Sequence, residues 1–156
     1  MGLLENMKRE RVDRLALRKP VTVSPETPIP DVIQLMREAH LGCAIIVDTE
    51  NKPTGMFTES MLTQLLAHNR SSLSEVVSTQ MATKWPWVKL SDPIVNVLEA
   101  MQEKNVRFIC VVDDEGQLAG LTGQKGLMEY IADHFPEQVM VQRIGSTPYL
   151  QEREGA

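Results

Sequence analysis

Residues 43–62 read CAIIVDTENKPTGMFTESML, and residues 108–127 read FICVVDDEGQLAGLTGQKGL. Each begins with a continuous apolar run of strand length, CAIIVD or FICVVD, rich in β-branched residues as expected of a strand buried on both faces. TENK and DEGQ have the composition of a tight turn, so PTGMFT and LAGLT are predicted to return as the second strand of a hairpin. The next segment, ESMLTQLLAH or QKGLMEYIADH, is helical, with Leu62, Leu65 and Leu66 or Leu127, Met128 and Ile131 on the inner face. At the first strand-to-helix junction Gly55 is followed three residues later by Thr58. That threonine has two readings, a cap on the helix or a grip on a phosphate or sugar.

The two stretches belong to a longer repeat. Residues 20–67 lie on residues 85–132 without a gap, at a constant offset of 65: Met36 and Met101, Asp48 and Asp113, Gly55 and Gly120. Val23/Val88, Pro28/Pro93, Ile29/Ile94, Val32/Val97, Val47/Val112 and Leu62/Leu127 also coincide, on core and turn positions. Upstream of each hairpin, VTVSPETP and WVKLSDP predict a short strand and a turn. Thr27 or Asp92 then stands as an N-cap before a proline. The next helix carries Ile29, Val32, Ile33 and Met36, or Ile94, Val97, Leu98 and Met101, spaced i, i+3, i+4, i+7.

Each unit therefore reads β-α-β-β-α, an α/β (α+β) arrangement. A unit this small cannot bury both sheet faces alone, so the two are expected to pack into one globule. The boundaries read as residues 1–67 for unit one with an N-terminal lead-in, 68–76 for a linker in which Ser74 caps a short helix, 77–135 for unit two, and 136–156 for a tail without periodicity.

Bulk properties narrow the function. A formal net charge of -5 at pH 7 and 4% aromatic residues argue against nucleic acid or an anionic membrane as partner, since both require a basic face. No apolar run approaches the roughly 20 residues of a membrane span, and the charged start MGLLENMKRERVDRL departs from a secretory signal. A cytoplasmic protein is expected. Cys43 and Cys110 sit in apolar runs and read as reduced core residues. His40, His68 and His134 lack metal-ligand spacing, and no nucleophile-base grouping emerges, so neither a metal site nor an enzyme is expected.

Two tandem copies of apolar strand, Val-Asp, acidic turn, Gly and helix, over about residues 10–135, resemble the cystathionine β-synthase (CBS) domain pair, or Bateman module. The resemblance implies two units related by a pseudo-twofold axis, packed through their sheets, with a cleft between them. There such modules bind AMP, ADP, ATP or S-adenosylmethionine; they often form homodimers and regulate a fused or partner protein. It implies an adenine nucleotide as regulatory ligand rather than a cofactor. The alternative is a ligand-independent dimerisation or scaffold module.

The family's gripping pattern is Gly, two apolar residues, Thr or Ser, two further residues and Asp. It falls on Gly55, Phe57, Thr58, Glu59, Ser60 and Met61, with methionine where aspartate is wanted. In the second unit it falls on Gly120, Thr122, Gly123, Lys125 and Gly126, with glycine at both polar positions. A lost hydrogen bond to a charged group removes about 1.5–3 kcal/mol, roughly 10- to 100-fold in affinity. Glu59 or Ser60 would then reach the ribose, and Lys125 or Arg107 the phosphate. Glycine at 126 inside a helix implies close approach of backbone, ligand or subunit. By the same resemblance Thr22, Val23, Ala44, Ile45, Trp87 and Ile109 would line the cleft. Trp87 and its neighbour Trp85 have a second reading, a plug between units, and Arg107 has one as a surface ion pair.

Overall fold

The computed structural model describes residues 2–104 and 106–135. A short helix α1 (Leu3–Arg9) precedes β1 (Thr22–Val23), α2 (Ile29–Ala39), β2 (Cys43–Val47), β3 (Pro53–Thr58) and α3 (Glu59–His68). The order recurs as β4 (Trp87–Lys89), α4 (Val95–Lys104), β5 (Phe108–Val112), β6 (Leu118–Gly123) and α5 (Gln124–His134). Each unit has a three-stranded sheet whose middle strand runs parallel to the first and antiparallel to the third. Even the register irregularity repeats, at Ile46/Val47 and again at Val111/Val112.

The hairpins form because their acidic turns satisfy the backbone. Asp48 accepts from the N–H groups of Glu50 and Lys52, and Asp113 from those of Glu115 and Gln117. One turn residue in each is left-handed, Asn51 at φ 61° and Gly116 at φ 82°, residue types that accept this region. The two tips meet: the Leu118 N–H donates to the Asn51 carbonyl at 2.9 Å, and Gln117 Nε2 to that of Glu50 at 3.0 Å.

Side chains alternate between two cores along each strand. Ala44, Ile46 and Phe57 pack with Ile29, Val32 and Met36 of the first unit, while Ile109 and Val111 pack with Ile94, Val97 and Leu127 of the second. Cys43, Ile45 and Met56 turn the other way and meet Leu121, Phe108 and Leu118 of the second sheet, with Trp85 against them. Both faces of each sheet are thus covered, which is why the strands read as unbroken apolar runs.

The lead-in packs differently from its place in the sequence. Met7, Val12 and Leu15 are buried in the second unit's core, not the first. Val12 donates to the Asp92 carbonyl, Ile94 to that of Glu10, and the Tyr130 hydroxyl to Glu10 Oε2 at 2.7 Å. Conversely Leu73, Val77 and Met81, expected in the linker and second unit, pack into the first unit's core. Each unit completes its core with the segment that precedes the other unit's first strand.

The expected caps also differ. Pro28 rather than Thr27 holds the N-cap position of α2, and the Thr27 hydroxyl bonds instead with that of Ser24. Asp92 accepts from the Lys89 N–H, tying the turn, and Ser74 donates to the Ser71 carbonyl in a short 3₁₀ turn.

Both cysteines are buried and unpaired. Burial, then the neighbouring Cys110, pushes the Cys43 thiol up to about 12 against the pull of Arg18. Burial likewise pushes Cys110 up to about 12, opposed by the Trp85 indole N–H, whose approach falls short of hydrogen-bonding geometry. Unfolded thiols ionise near 9.0, while the folded ones keep their protons to about 12. The stability they contribute is complete below pH 9 and is lost as pH rises towards about 12. Urea midpoints under reducing conditions should therefore be lower at about pH 10.5 than at about pH 8.

Candidate functional site

The site begins with the two repeat glycines. A strap, residues 81–82, runs alongside β3: Met56 and Ala82 exchange backbone hydrogen bonds at 3.0 and 2.8 Å. A Cβ on Gly55 would run into the Met81 side chain and stand 3.0 Å from the Ala82 carbonyl oxygen. In the second unit Arg18 and Leu121 exchange bonds at 2.8 and 3.0 Å, and a Cβ on Gly120 would stand 2.9 Å from Leu17 Cβ. These glycines admit the straps, and the second strap, at Ala16, Leu17 and Arg18, becomes a cleft wall.

The first cleft opens at the junction of β3 and α3. Thr58 is the N-cap of α3, and its hydroxyl accepts from the Met61 N–H at 3.3 Å. It lines a cavity of about 620 Å³ with Gly42, Met56, Glu59 and Ser60 on one side and Val106, Arg107 and Phe108 of the second unit on the other. Thr58→Ala should lower the unliganded stability by about 1 kcal/mol, read by urea unfolding. A threonine acting only as a grip would leave that stability unchanged.

The second cleft, of about 390 Å³, opens where β6 meets α5. Ala16, Leu17 and Arg18 of the strap face Arg107, Phe108, Thr122, Gln124, Lys125, Gly126 and Glu129. Gly123 replaces the capping threonine, and α5 has no side-chain cap. A Cβ at 123 would collide with the Arg107 carbonyl oxygen, so glycine is required by the backbone leading into β5. Thr122 is 4% exposed and its hydroxyl has no partner among the described residues, a burial that costs about 1–3 kcal/mol. A Cβ on Gly126 would stand 2.6 Å from that hydroxyl. The close approach that this glycine implies is therefore made by Thr122 of its own unit.

At offset 65, Thr122 and Gly126 occupy the places of Phe57 and Met61. In the first unit that pair fills the helix-side core, Phe57 with no exposure and Met61 half-buried against it. In the second the smaller pair closes on itself, with the Thr122 hydroxyl standing against Gly126.

The CBS domain model matches the chain twice in succession, over residues 7–68 and 73–133. The chain belongs to the CBS domain family. Its fold resembles solved CBS pairs: PAE2072 from Pyrobaculum aerophilum complexed with AMP has a TM-score of 0.67 at 22% identity, covering 73% of this chain and 87% of that one. The CBS pair of protein MJ0100, in complex with 5-methylthioadenosine and S-adenosyl-L-methionine, has a TM-score of 0.69 at 18% identity, covering 80% and 97%. In sequence the chain is 29% identical over 127 residues to the Bacillus subtilis glycine betaine/carnitine/choline transport ATP-binding protein OpuCA, covering 80% of this chain and 31% of that protein. It is 25% identical to protein MK0525 of Methanopyrus kandleri, covering 79% of this chain and 63% of that one. The chain thus spans between about a third and two thirds of the length of these relatives.

Of the residues that the CBS resemblance placed in the cleft, Thr58, Glu59, Ser60 and Arg107 line the first cleft, and Thr122, Lys125 and Arg107 the second. The others lie elsewhere. Ala44 and Ile109 are fully enclosed in the helix-side cores and Ile45 in the core between sheets, because strand parity sends them there. Phe57 and Met61 belong to the first core, and Gly55 lies under its strap. Val23 is buried beside exposed Thr22 at a separate hollow with Val47 and Asp48. Trp87 is 53% exposed and lines another hollow with Pro53, Trp85, Val112 and Gly116, while Trp85 packs between the sheets. Within the described residues Arg107 forms no ion pair.

Sequence reasoning missed Ala16, Leu17 and Arg18. The signal was there: Lys19 and Lys84 coincide at the same offset of 65, so the repeat extends just upstream of residue 20 into both straps.

Among the described residues no group of three His, Cys, Asp or Glu is placed to hold a metal ion, and no helix is long and apolar enough to cross a membrane.

Proposed function

We propose that this CBS pair is a regulatory module that takes an adenosine-type ligand, AMP, ADP, ATP or S-adenosylmethionine, between its repeats and passes the occupied state to a partner protein. The observation that carries this reading is Arg107, an arginine without an ion pair among the described residues that lines both clefts. A ligand reaching it from Thr58, Glu59 or Ser60 touches both repeats at once. Binding then favours one relative packing of the repeats, which is how a module without a reaction of its own transmits a signal. Cavities of about 620 and 390 Å³ fall in the usual range of about 300–1,000 Å³ for small-molecule sites. The solved relatives with AMP or S-adenosyl-L-methionine support the ligand class.

Thermal melting with AMP, ADP, ATP, 5-methylthioadenosine and S-adenosylmethionine tests it. A ligand at 100 times its Kd adds about 2.7 kcal/mol to stability. No shift with any of them at millimolar concentration sinks the reading.

A second reading, a ligand-independent dimerisation scaffold, is favoured by Met61, which faces the core where the family pattern wants a ribose-binding carboxylate. In either case we infer a homodimer. Although α3 carries Leu62, Leu65 and Leu66, none of its residues is fully buried; Leu66 is 46% and Met128 of α5 54% exposed. Light scattering at twice the 17.5 kDa chain mass is expected, and a monomer with and without ligand would exclude it. A cytoplasmic setting fits two unpaired buried thiols.

A further inference from the structure

Positive charge in this chain is concentrated in the lead-in. Residues 1–19 hold six of the 16 Lys and Arg but only three of the 21 Asp and Glu, a net +3, while the rest of the chain stands at -8. The fold decides which side chains of that segment face out. Met7, Val12 and Leu15 are 3%, 0% and 5% exposed in the second unit's core. Lys8, Arg9, Arg11, Arg14, Arg18 and Lys19 are all exposed. Lys8 lies one turn from Leu4 on α1, and Arg11 and Arg14 are three apart on a 3₁₀ turn, so each pair shares a side.

Two of the three acids in the segment are engaged, Glu10 with the Tyr130 hydroxyl at 2.7 Å and Asp13 with Arg11 at 3.0 Å. Lys8, Arg14 and Lys19 form no ion pair among the described residues. Leu4, 52% exposed, is a large apolar side chain left uncovered beside them.

We propose that this lead-in is the docking surface for the partner that the module regulates, and that it takes an acidic protein segment, with carboxylates on Lys8, Arg11, Arg14 and Lys19 and an apolar side chain on Leu4. Charge complementarity selects the class of partner. A membrane surface or a nucleic acid extends past so short a stripe and meets the -8 of the remaining chain. Helix α1 has seven residues, and its Leu3 and Met7 are committed to the second core, so it lacks the apolar face that a bilayer requires. Residues 1–19 include no aromatic side chain on which a base could stack. An acidic segment, by contrast, touches the stripe alone. The buried anchors hold its backbone in place before binding, which removes much of the ordering cost that a free basic tail would carry.

The stripe is also joined to the ligand site, because Ala16, Leu17 and Arg18 of the same segment wall the second cleft. Ligand in that cleft and a partner on the stripe act on one stretch of backbone, so each alters affinity for the other. This coupling rests on the regulatory reading above, whereas the docking surface does not.

Fluorescence anisotropy on the full chain tests it, with a labelled oligoglutamate peptide carrying one central leucine and with its glutamine counterpart. The acidic peptide should bind and the glutamine one should not, and affinity should fall as salt is raised. Lys8→Gln, Arg14→Gln and Lys19→Gln should each weaken binding about two- to fivefold at wild-type melting temperature. Leu4→Ser should weaken it too, and Lys84→Gln, an exposed cation outside the lead-in, should leave it unchanged. An equal loss in Lys84→Gln shows general attraction to a polyanion and overturns the proposal, as does a lack of binding at low salt. Tighter binding to phosphatidylserine vesicles or duplex DNA than to the peptide overturns it in favour of a membrane or a nucleic acid. Saturating ADP should change the peptide's Kd about fivefold or more. If ADP binds and that Kd does not move, the coupling is overturned. If no adenosine compound shifts the melting temperature but the lead-in variants still weaken the peptide, the adenosine reading falls and the docking surface stands.

Discussion

A chain lacking residues 1–18 is expected to lose its second repeat. Met7, Val12 and Leu15 are 3%, 0% and 5% exposed, and all three lie among Val88, Ile94, Val97, Ile109 and Leu127. Full burial of each such side chain contributes about 1.5–3 kcal/mol, so their joint removal costs on the order of 5–9 kcal/mol. That is comparable to the whole stability of an ordinary domain, about 5–15 kcal/mol. The deletion also strips Arg18 from β6 and Glu10 from Tyr130. Amide hydrogen exchange gives the decisive readout: protection should collapse in β4, β5, β6, α4 and α5 while β2 and β3 keep more of theirs. Loss confined to the first sheet would instead return the lead-in to the first unit.

That crossing of segments marks where the sequence stopped being informative. The hairpins, the repeat and the α/β class were legible because hydrophobic period and turn chemistry are local, and because Asp48 and Asp113 do the same work 65 positions apart. Which unit a short amphipathic segment joins is not local. Met7 and Val77 carry no mark of the core they enter. The cleft residues failed for a related reason. In a run such as CAIIV every side chain is apolar, so parity shows that Ala44 and Ile45 face opposite ways but not which faces the helices and which the other sheet. Thr58 was legible as a choice between cap and grip, and its hydroxyl is found capping. Gly123 could not be read at all, since its cause is the carbonyl oxygen of Arg107, the residue that leads into the neighbouring strand β5.

Phe57→Ala is expected to lower stability by about 3–5 kcal/mol, the usual range for a fully enclosed aromatic, because the cavity it leaves collapses only in part. Its walls are strand and helix side chains, Ala44, Ile46, Val32 and Val77, all with no exposure, so there is little slack to close the gap. For a chain of this size that corresponds to a fall in Tm of roughly 6–20 °C. Phe57→Leu, which keeps most of the volume, should lose less than half as much. The repeat supplies the counter-experiment at the matching position. Thr122→Val exchanges an unpartnered buried hydroxyl for a methyl and should raise stability by about 1 kcal/mol. The same hydrophobic physics thus gives opposite signs at two equivalent sites. A destabilising Thr122→Val would mean that the hydroxyl already has a partner in the unliganded protein. A stabilising one would mean that the second repeat keeps an enclosed, unpartnered polar group at a cost to its own fold.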